Sequence, residues 1–98
     1  MIVKMDEIMY FETSLRKMEV HLKNGEILTV RKTIKEMSKE LDEDCFVKLH
    51  SGCVVNIKYI ERSLSHEVVL KNGEQLIVSR TRAKGVKKSI LDYWRRSV

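Results

Sequence analysis

The chain predicts a mainly β fold: an elongated arrangement of small antiparallel sheets built from hairpins, with one short capped helix and a C-terminal helix. Three observations carry this. The motif Leu22-Lys23-Asn24-Gly25-Glu26 recurs as Leu70-Lys71-Asn72-Gly73-Glu74, and both copies separate apolar segments of β type. Met18, Val20 and Leu22 alternate with Lys17, Glu19, His21 and Lys23, the period-two pattern of a strand with one buried face. Helical periodicity shows only twice, in a short stretch after Thr33 and a longer one after Arg82.

In chain order, Ile8-Met9-Tyr10-Phe11-Glu12 is the first strand candidate, apolar and aromatic. The short loop Thr13-Ser14-Leu15-Arg16-Lys17 leads into a first hairpin from about Lys17 to Val30. Asn-Gly readily takes the two left-handed conformations of a type I′ turn, so both Asn-Gly copies predict tight hairpins. The repeated motif fits an ancient duplication, but reuse of turn chemistry accounts for it more simply. Thr33 followed by Glu36 has the spacing of a capping box. Ile34, Met37 and Leu41 then share one helical face, which predicts a helix over Thr33 to Leu41 ending at Asp42-Glu43-Asp44. Cys53-Val54-Val55-Asn56-Ile57 is a further strand candidate, and Glu67 to Val78 forms the second hairpin. Near Arg82 a second helix begins, with Ala83, Val86, Ile90 and Tyr93 or Trp94 in one stripe, read as core packing.

The 98 residues predict a single domain, 1–98, with room for one hydrophobic core and not two. A hydrophobic content of 43 % suits a folded chain and argues against disorder. No apolar run is long enough for a membrane helix, and the N-terminus turns acidic at Asp6-Glu7 where a secretory signal would be apolar. A cytoplasmic location is the resulting expectation. The two cysteines, Cys45 and Cys53, read as free thiols in a reducing compartment and lack the spacing of a zinc site. No cofactor and no metal is expected. Three scattered histidines assemble no Ser-His-Asp set, and no phosphate loop occurs, so an enzyme is not expected.

The net charge of +5 is unevenly spread. Between Arg80 and Arg96, the cations Arg80, Arg82, Lys84, Lys87, Lys88, Arg95 and Arg96 face the single acid Asp92. The rest of the chain is close to neutral. Such an asymmetry fits a polyanionic partner, although a solvated basic helix would show it too.

One stretch carries a family resemblance. Phe46-Val47-Lys48-Leu49-His50-Ser51-Gly52-Cys53-Val54-Val55-Asn56 sits after the capped helix and before the second hairpin. With Ile60, Asn72-Gly73, Val78-Ser79-Arg80 and the opening strand Ile8 to Glu12, it resembles the LytTR (LytR/AlgR-type) DNA-binding domain of bacterial transcription regulators. The likeness covers roughly residues 8 to 90. Phe46, Lys48, His50, Val54, Val55 and Asn56 fall in the register of the family pattern. Lys48 stands where Arg is common, Ser51 replaces the usual polar or basic neighbour, Gly52 replaces Ser, and Cys53 replaces an aromatic. The resemblance implies sequence-specific binding of double-stranded DNA, with loops from the edge of the β fold entering successive major grooves. It implies paired direct repeats as targets and a homodimer on DNA. Family members commonly serve as output domains of response regulators in two-component systems. No receiver domain is present, so an excised output domain or a stand-alone regulator is expected. No membrane partner is expected.

On this reading the DNA-binding candidates are Arg16, Lys17, Lys48, His50, Ser51, Arg80, Arg82, Lys84 and Lys87. Arg80 and Arg82 follow a strand end, where a loop can present a guanidinium to the paired acceptors of guanine; phosphate contact is the alternative. Lys84, Lys87 and Lys88 suit phosphates. Arg16 and Lys17 lie at the other end of the footprint, with a solvated turn as the plain alternative. His50 can donate to a phosphate or base edge, or serve as a structural hydrogen-bond partner. Asn56 is read as satisfying backbone groups in a turn. His21 and His66 read as exposed, and Tyr93 with Trp94 as a packed helix end rather than a stacking platform. An RNA-binding module would display aromatics on a sheet face, but Tyr10, Phe11, Phe46 and Tyr59 read as core or strand residues. A protein-interaction module that has lost duplex specificity is the other alternative.

Overall fold

The computed structural model of the protein describes residues 4–97. A turn of 3-10 helix, Met5–Glu7, leads into β1 (Ile8–Ser14), β2 (Lys17–Leu22), β3 (Ile27–Val30) and the helix α1 (Ile34–Ser38). The strands β4 (Phe46–His50), β5 (Cys53–Asn56), β6 (Ile60–Ser63), β7 (Glu67–Leu70) and β8 (Gln75–Ile77) follow, and α2 (Ala83–Arg96) closes the chain. A second 3-10 turn, Ile57–Tyr59, joins β5 to β6. The strands form a five-stranded sheet of order β3-β2-β1-β5-β4 and a three-stranded sheet of order β6-β7-β8. Every pairing is antiparallel.

The expectation of one core is corrected. The five-stranded sheet divides two buried clusters. On one face, Ile8, Phe11, Met18, Val20, Leu22, Phe46 and Val54 meet Ile34 of α1. On the other, Met9, Tyr10, Leu49, Cys53 and Val55 meet Val68, Leu70 and Leu76 of the small sheet and Val86 and Ile90 of α2. Burial on both faces explains why β1 opens with four buried residues and β5 is buried throughout. Period-two alternation survives only where one face is wet, as in β2. Bulges between Ile8 and Tyr10 and between Lys48 and His50 let neighbouring residues turn toward one cluster.

Four further expectations change. The elongation is slight: the extents are 33 × 27 × 25 Å with a radius of gyration of 12.6 Å, as for a compact domain of this size. The helix after Thr33 forms with its cap, Thr33 Oγ1 accepting from Glu36 N at 3.1 Å, but ends at Ser38 rather than Leu41. The ladder tightens there, Glu40 N donating to the Met37 carbonyl three residues back, and Asp42 opens a separate turn in which its backbone carbonyl accepts from Cys45 N and Phe46 N and its side chain from Asp44 N. The hairpin turns are not type I′. In these two turns only Gly25 and Gly73 have positive φ, both 92°, and Gly25 N and Gly73 N donate back to the carbonyls of Leu22 and Leu70. Each is a turn followed by a left-handed glycine in a bulge, with Asn24 or Asn72 accepting from the backbone of Glu26 or Glu74. His21 is half-buried rather than exposed, stacked on Tyr10 with ring centroids 4.1 Å apart. β6 went unforeseen because only Ile60 of its four residues is buried.

Two contacts tie the layers together. Tyr10 Oη donates to Glu74 at 2.7 Å, linking β1 to the loop after β7. Asn56 Nδ2 donates to the Ile8 carbonyl while its oxygen accepts from Lys58 N, the turn role expected of it. Tyr93 and Trp94 pack against the second cluster, as their stripe predicts.

Candidate nucleic-acid interface

One end of the five-stranded sheet gathers the polar candidates. The β1–β2 connection is a tight hairpin in which Ser14 pairs with Lys17, leaving Leu15 and Arg16 at the tip. Leu15 has φ of 57°, the left-handed region, and its side chain is 96 % exposed. Across β2, Met18 pairs with Val30, so the next residues of that segment, Arg31 and Lys32, lie at the same end. A hollow of about 330 Å³ there is lined by Arg16, Lys17, Arg31, Lys32 and Thr33.

The β4–β5 turn adjoins this hairpin. Thr13 N donates to the Gly52 carbonyl at 2.8 Å, which sets Ser51 and Gly52 beside the tip. Gly52 N donates to His50 Nδ1 at 3.1 Å. That bond assigns the proton of the neutral ring to Nε2, which is then a donor. His50 therefore has the structural role that the sequence left open. On the far side of β4, Ser79 N donates to the Leu49 carbonyl at 2.9 Å, so the exit from β8 that carries Arg80 and Arg82 runs along β4. Lys48 and Arg82 line one hollow between β4 and the start of α2, together with Val47, Thr81, Gly85, Val86 and Ser89.

Helix α2 runs back along the domain. Its first turns lie against Val47 and Lys48, while Tyr93 reaches the hollow beside Cys45 and Asn56, and Arg96 donates to the Asp44 carbonyl at 2.8 Å. The basic segment is therefore split. Arg80 and Arg82 stand near the sheet end that carries Ser51, Lys84 and Lys87 follow in the first turns of α2 beside β4, and Arg95 and Arg96 stand toward the opposite end. All nine candidates from the sequence thus come from segments that converge on one end of the fold.

Electrostatics sharpen the division. Arg16, Lys17, Lys48, Arg80, Arg82, Lys84 and Lys87 form no ion pair among the described residues; Lys88 and Arg95 both flank Asp92, at 3.5 and 3.8 Å. The first turn of α2 holds no acid, and the side chain at its N-cap position, Arg82, makes no capping bond. The positive end of the helix dipole adds to these unpaired cations. Arg31 and Lys32 were missed by the sequence reading. Arg31 is exposed and unpaired among the described residues, and Lys32 reaches Glu40 at 3.1 Å.

No metal cluster of His, Cys, Asp and Glu occurs among the described residues, and no described helix is long and apolar enough to cross a membrane. Both thiols are free. Burial, with Glu12 nearby, pushes the Cys53 thiol up to about 12. Burial also raises Cys45, aided by Asp42.

The chain is similar to known proteins in sequence and in fold. A family model described as the LytTr DNA-binding domain matches residues 1–91. Over 65 residues the chain is 34 % identical to the sensory transduction protein LytT of Bacillus subtilis (strain 168), a match covering 61 % of this chain and 27 % of that protein. The chain thus aligns with little more than a quarter of that relative. A solved LytTr DNA-binding domain of a methyl-accepting/DNA response regulator from Bacillus cereus superposes with a TM-score of 0.83 at 25 % identity, covering 90 % of this chain and 84 % of that one.

Proposed function

The chain belongs to the LytTR family of DNA-binding domains, and on that premise we propose that it binds double-stranded DNA sequence-specifically for a bacterial transcription regulator, using the end of the sheet that carries the unpaired cations. One observation carries the reading: Arg16, Lys17, Lys48, Arg80, Arg82, Lys84 and Lys87 come from three separate stretches of chain that converge on one end, and none has an acid partner among the described residues. Left unpaired, these groups raise the potential that attracts a phosphate backbone.

The hairpin tip with Arg16 and Lys17 and the exit segment with Arg80 and Arg82 flank the turn at Ser51. The two flanking segments enter successive major grooves, and the Ser51 turn lies over the minor groove between them. Lys84, Lys87 and Lys48 contact phosphates, which positions the domain without reading sequence. Arg80 or Arg82 reads a guanine through paired hydrogen bonds to O6 and N7. His50 donates through Nε2. Target sites are paired direct repeats, occupied by two copies, in the setting of a response-regulator output domain or a stand-alone regulator in the cytoplasm. Tyr10, Phe11 and Phe46 are buried, which removes these rings from any single-strand stacking surface.

Selection of bound sequences from a random duplex library tests this. A recovered direct repeat, with binding that weakens steeply in salt, is the expected outcome. A pool that stays random, or affinity insensitive to salt, would refute the proposal.

A further inference from the structure

Leu15 is placed against its own chemistry. A leucine at φ of 57° sets its Cβ against the backbone, a conformation that glycine or asparagine takes at far lower cost. Its side chain is 96 % exposed, the most exposed large apolar group described. Ser14 and Lys17 already close the hairpin by pairing, so the turn itself needs no apolar residue at this position. The two-residue hairpin imposes the positive φ, but it asks for glycine or asparagine there, and no described contact covers the leucine side chain. Around it stand Arg16, Lys17 and Arg31, which are exposed and unpaired among the described residues. An apolar tip ringed by cations is complementary to one surface above others: a groove walled by phosphates whose floor carries an apolar group.

We propose that Leu15 reads the 5-methyl group of thymine in the major groove. This rests on the duplex-DNA reading above and adds a specificity element to it. The cations engage the phosphates on either side and bring the tip to the groove floor. There thymine presents its methyl and cytosine presents only an amino donor. The contact is purely apolar, so it selects thymine without a hydrogen bond and is insensitive to salt.

Replacing single thymines by uracil in the selected duplex removes that methyl and leaves base pairing intact. Burying one such carbon against Leu15 gives an expected loss of about fourfold at the contacted thymine. Leu15→Ala should bind the thymine and uracil duplexes equally, while losing affinity only for the thymine duplex. Leu15→Gly should show the same indifference with a raised melting temperature, because glycine relieves the left-handed backbone. Sequence-specific binding with no methyl-sensitive thymine overturns the inference and leaves the duplex reading intact. So does a methyl effect that persists in both variants. A loss upon Leu15→Ala that is equal for thymine and uracil duplexes indicates a wedge between base steps and also overturns it. Absence of any duplex binding overturns both.

Discussion

Lys87→Ala and Arg95→Ala remove the same charge from the same helix, and they should differ sharply in their effect on DNA binding. Lys87 lies in the first turns of α2, beside β4. Arg95 sits at the other end of the helix, beyond the residue whose ring lines the hollow near Cys45. At a rise of 1.5 Å per residue, Arg95 lies roughly 12 Å further along the axis than Lys87. That exceeds the Debye length of about 8 Å at physiological salt, so an exposed charge there is largely screened from the proposed contact surface. With roughly five phosphates neutralised, the slope of log affinity against log salt should be about −4 to −5 for the parent chain. Lys87→Ala should reduce it by roughly one unit, whereas Arg95→Ala should leave it within about 0.2 of the parent. Fluorescence anisotropy of a labelled duplex between 50 and 200 mM salt (on the order of the range over which such slopes are read) gives both numbers. Equal changes in the two variants would mean that total charge, rather than the gathered end, drives binding, and the assignment of the interface would fall.

Other consequences can be measured separately. Arg80→Ala or Arg82→Ala should cost about 1–3 kcal/mol on the selected site and much less on random duplex, if that arginine grips a guanine; equal losses on both DNAs would remove the segment from base recognition. The raised Cys53 thiol makes stability fully present below the ordinary thiol value of 9.0 and lost as pH climbs through about 12, because the unfolded chain gives up this proton first. Denaturant titrations should therefore show stability falling by up to about 1.4 kcal/mol per pH unit in that window, flattened in Cys53→Ala. In native protein a thiol reagent should label half-buried Cys45 well before buried Cys53, and the reverse order would contradict the packing. Tyr10→Phe deletes the 2.7 Å bond to Glu74 and should cost about 1 kcal/mol, or up to about 3 given the charged acceptor, and should cost less in a Glu74→Gln background, where only the bond of residue 74 to Asn72 is common to both.

Where one face of a strand is wet, the sequence was readable. Met18, Val20 and Leu22 are buried as their alternation demands, and Thr33 caps its helix. The two-faced burial of β1 and β5 was harder to see, because an apolar run looks the same whether one cluster or two cover it. The helix stop at Ser38 leaves no mark in the periodicity: Glu40 N donates to the Met37 carbonyl, three residues back rather than four, and the α-helical ladder ends there. For the site, composition gave the cations but not their convergence. Arg16, Ser51 and Arg80 are far apart in the chain, and the β1–β5 ladder with the Thr13–Gly52 and Leu49–Ser79 hydrogen bonds brings their segments side by side. Likewise, nothing in a charge count separates Lys87 from Arg95; the direction of α2 does.

Arg31 shows how close the missing part came to being legible. A two-residue type I′ turn at Asn24-Gly25 would set Leu22 opposite Ile27 and therefore Met18 opposite Arg31, on the buried face. The observed turn holds one more residue in its loop and sets Met18 opposite Val30 and Val20 opposite Leu28. Directly opposed residues share a face, so the observed register sends Leu28 and Val30 to the cluster and releases Arg31 to the sheet end. The second hairpin repeats the logic. A type I′ turn would oppose buried Val68 to Ile77, whereas the glycine bulge opposes it to buried Leu76 and leaves Ile77 71 % exposed. In both hairpins the apolar pattern across the turn is in phase only if the loop carries the extra residue. The turn dipeptide alone favours the tighter loop, but burial of two apolar side chains against a cluster outweighs a turn preference that the bulged alternative satisfies nearly as well. Phase across the turn, rather than the Asn-Gly signal within it, therefore decides the register, and the register decides which cations reach the sheet end.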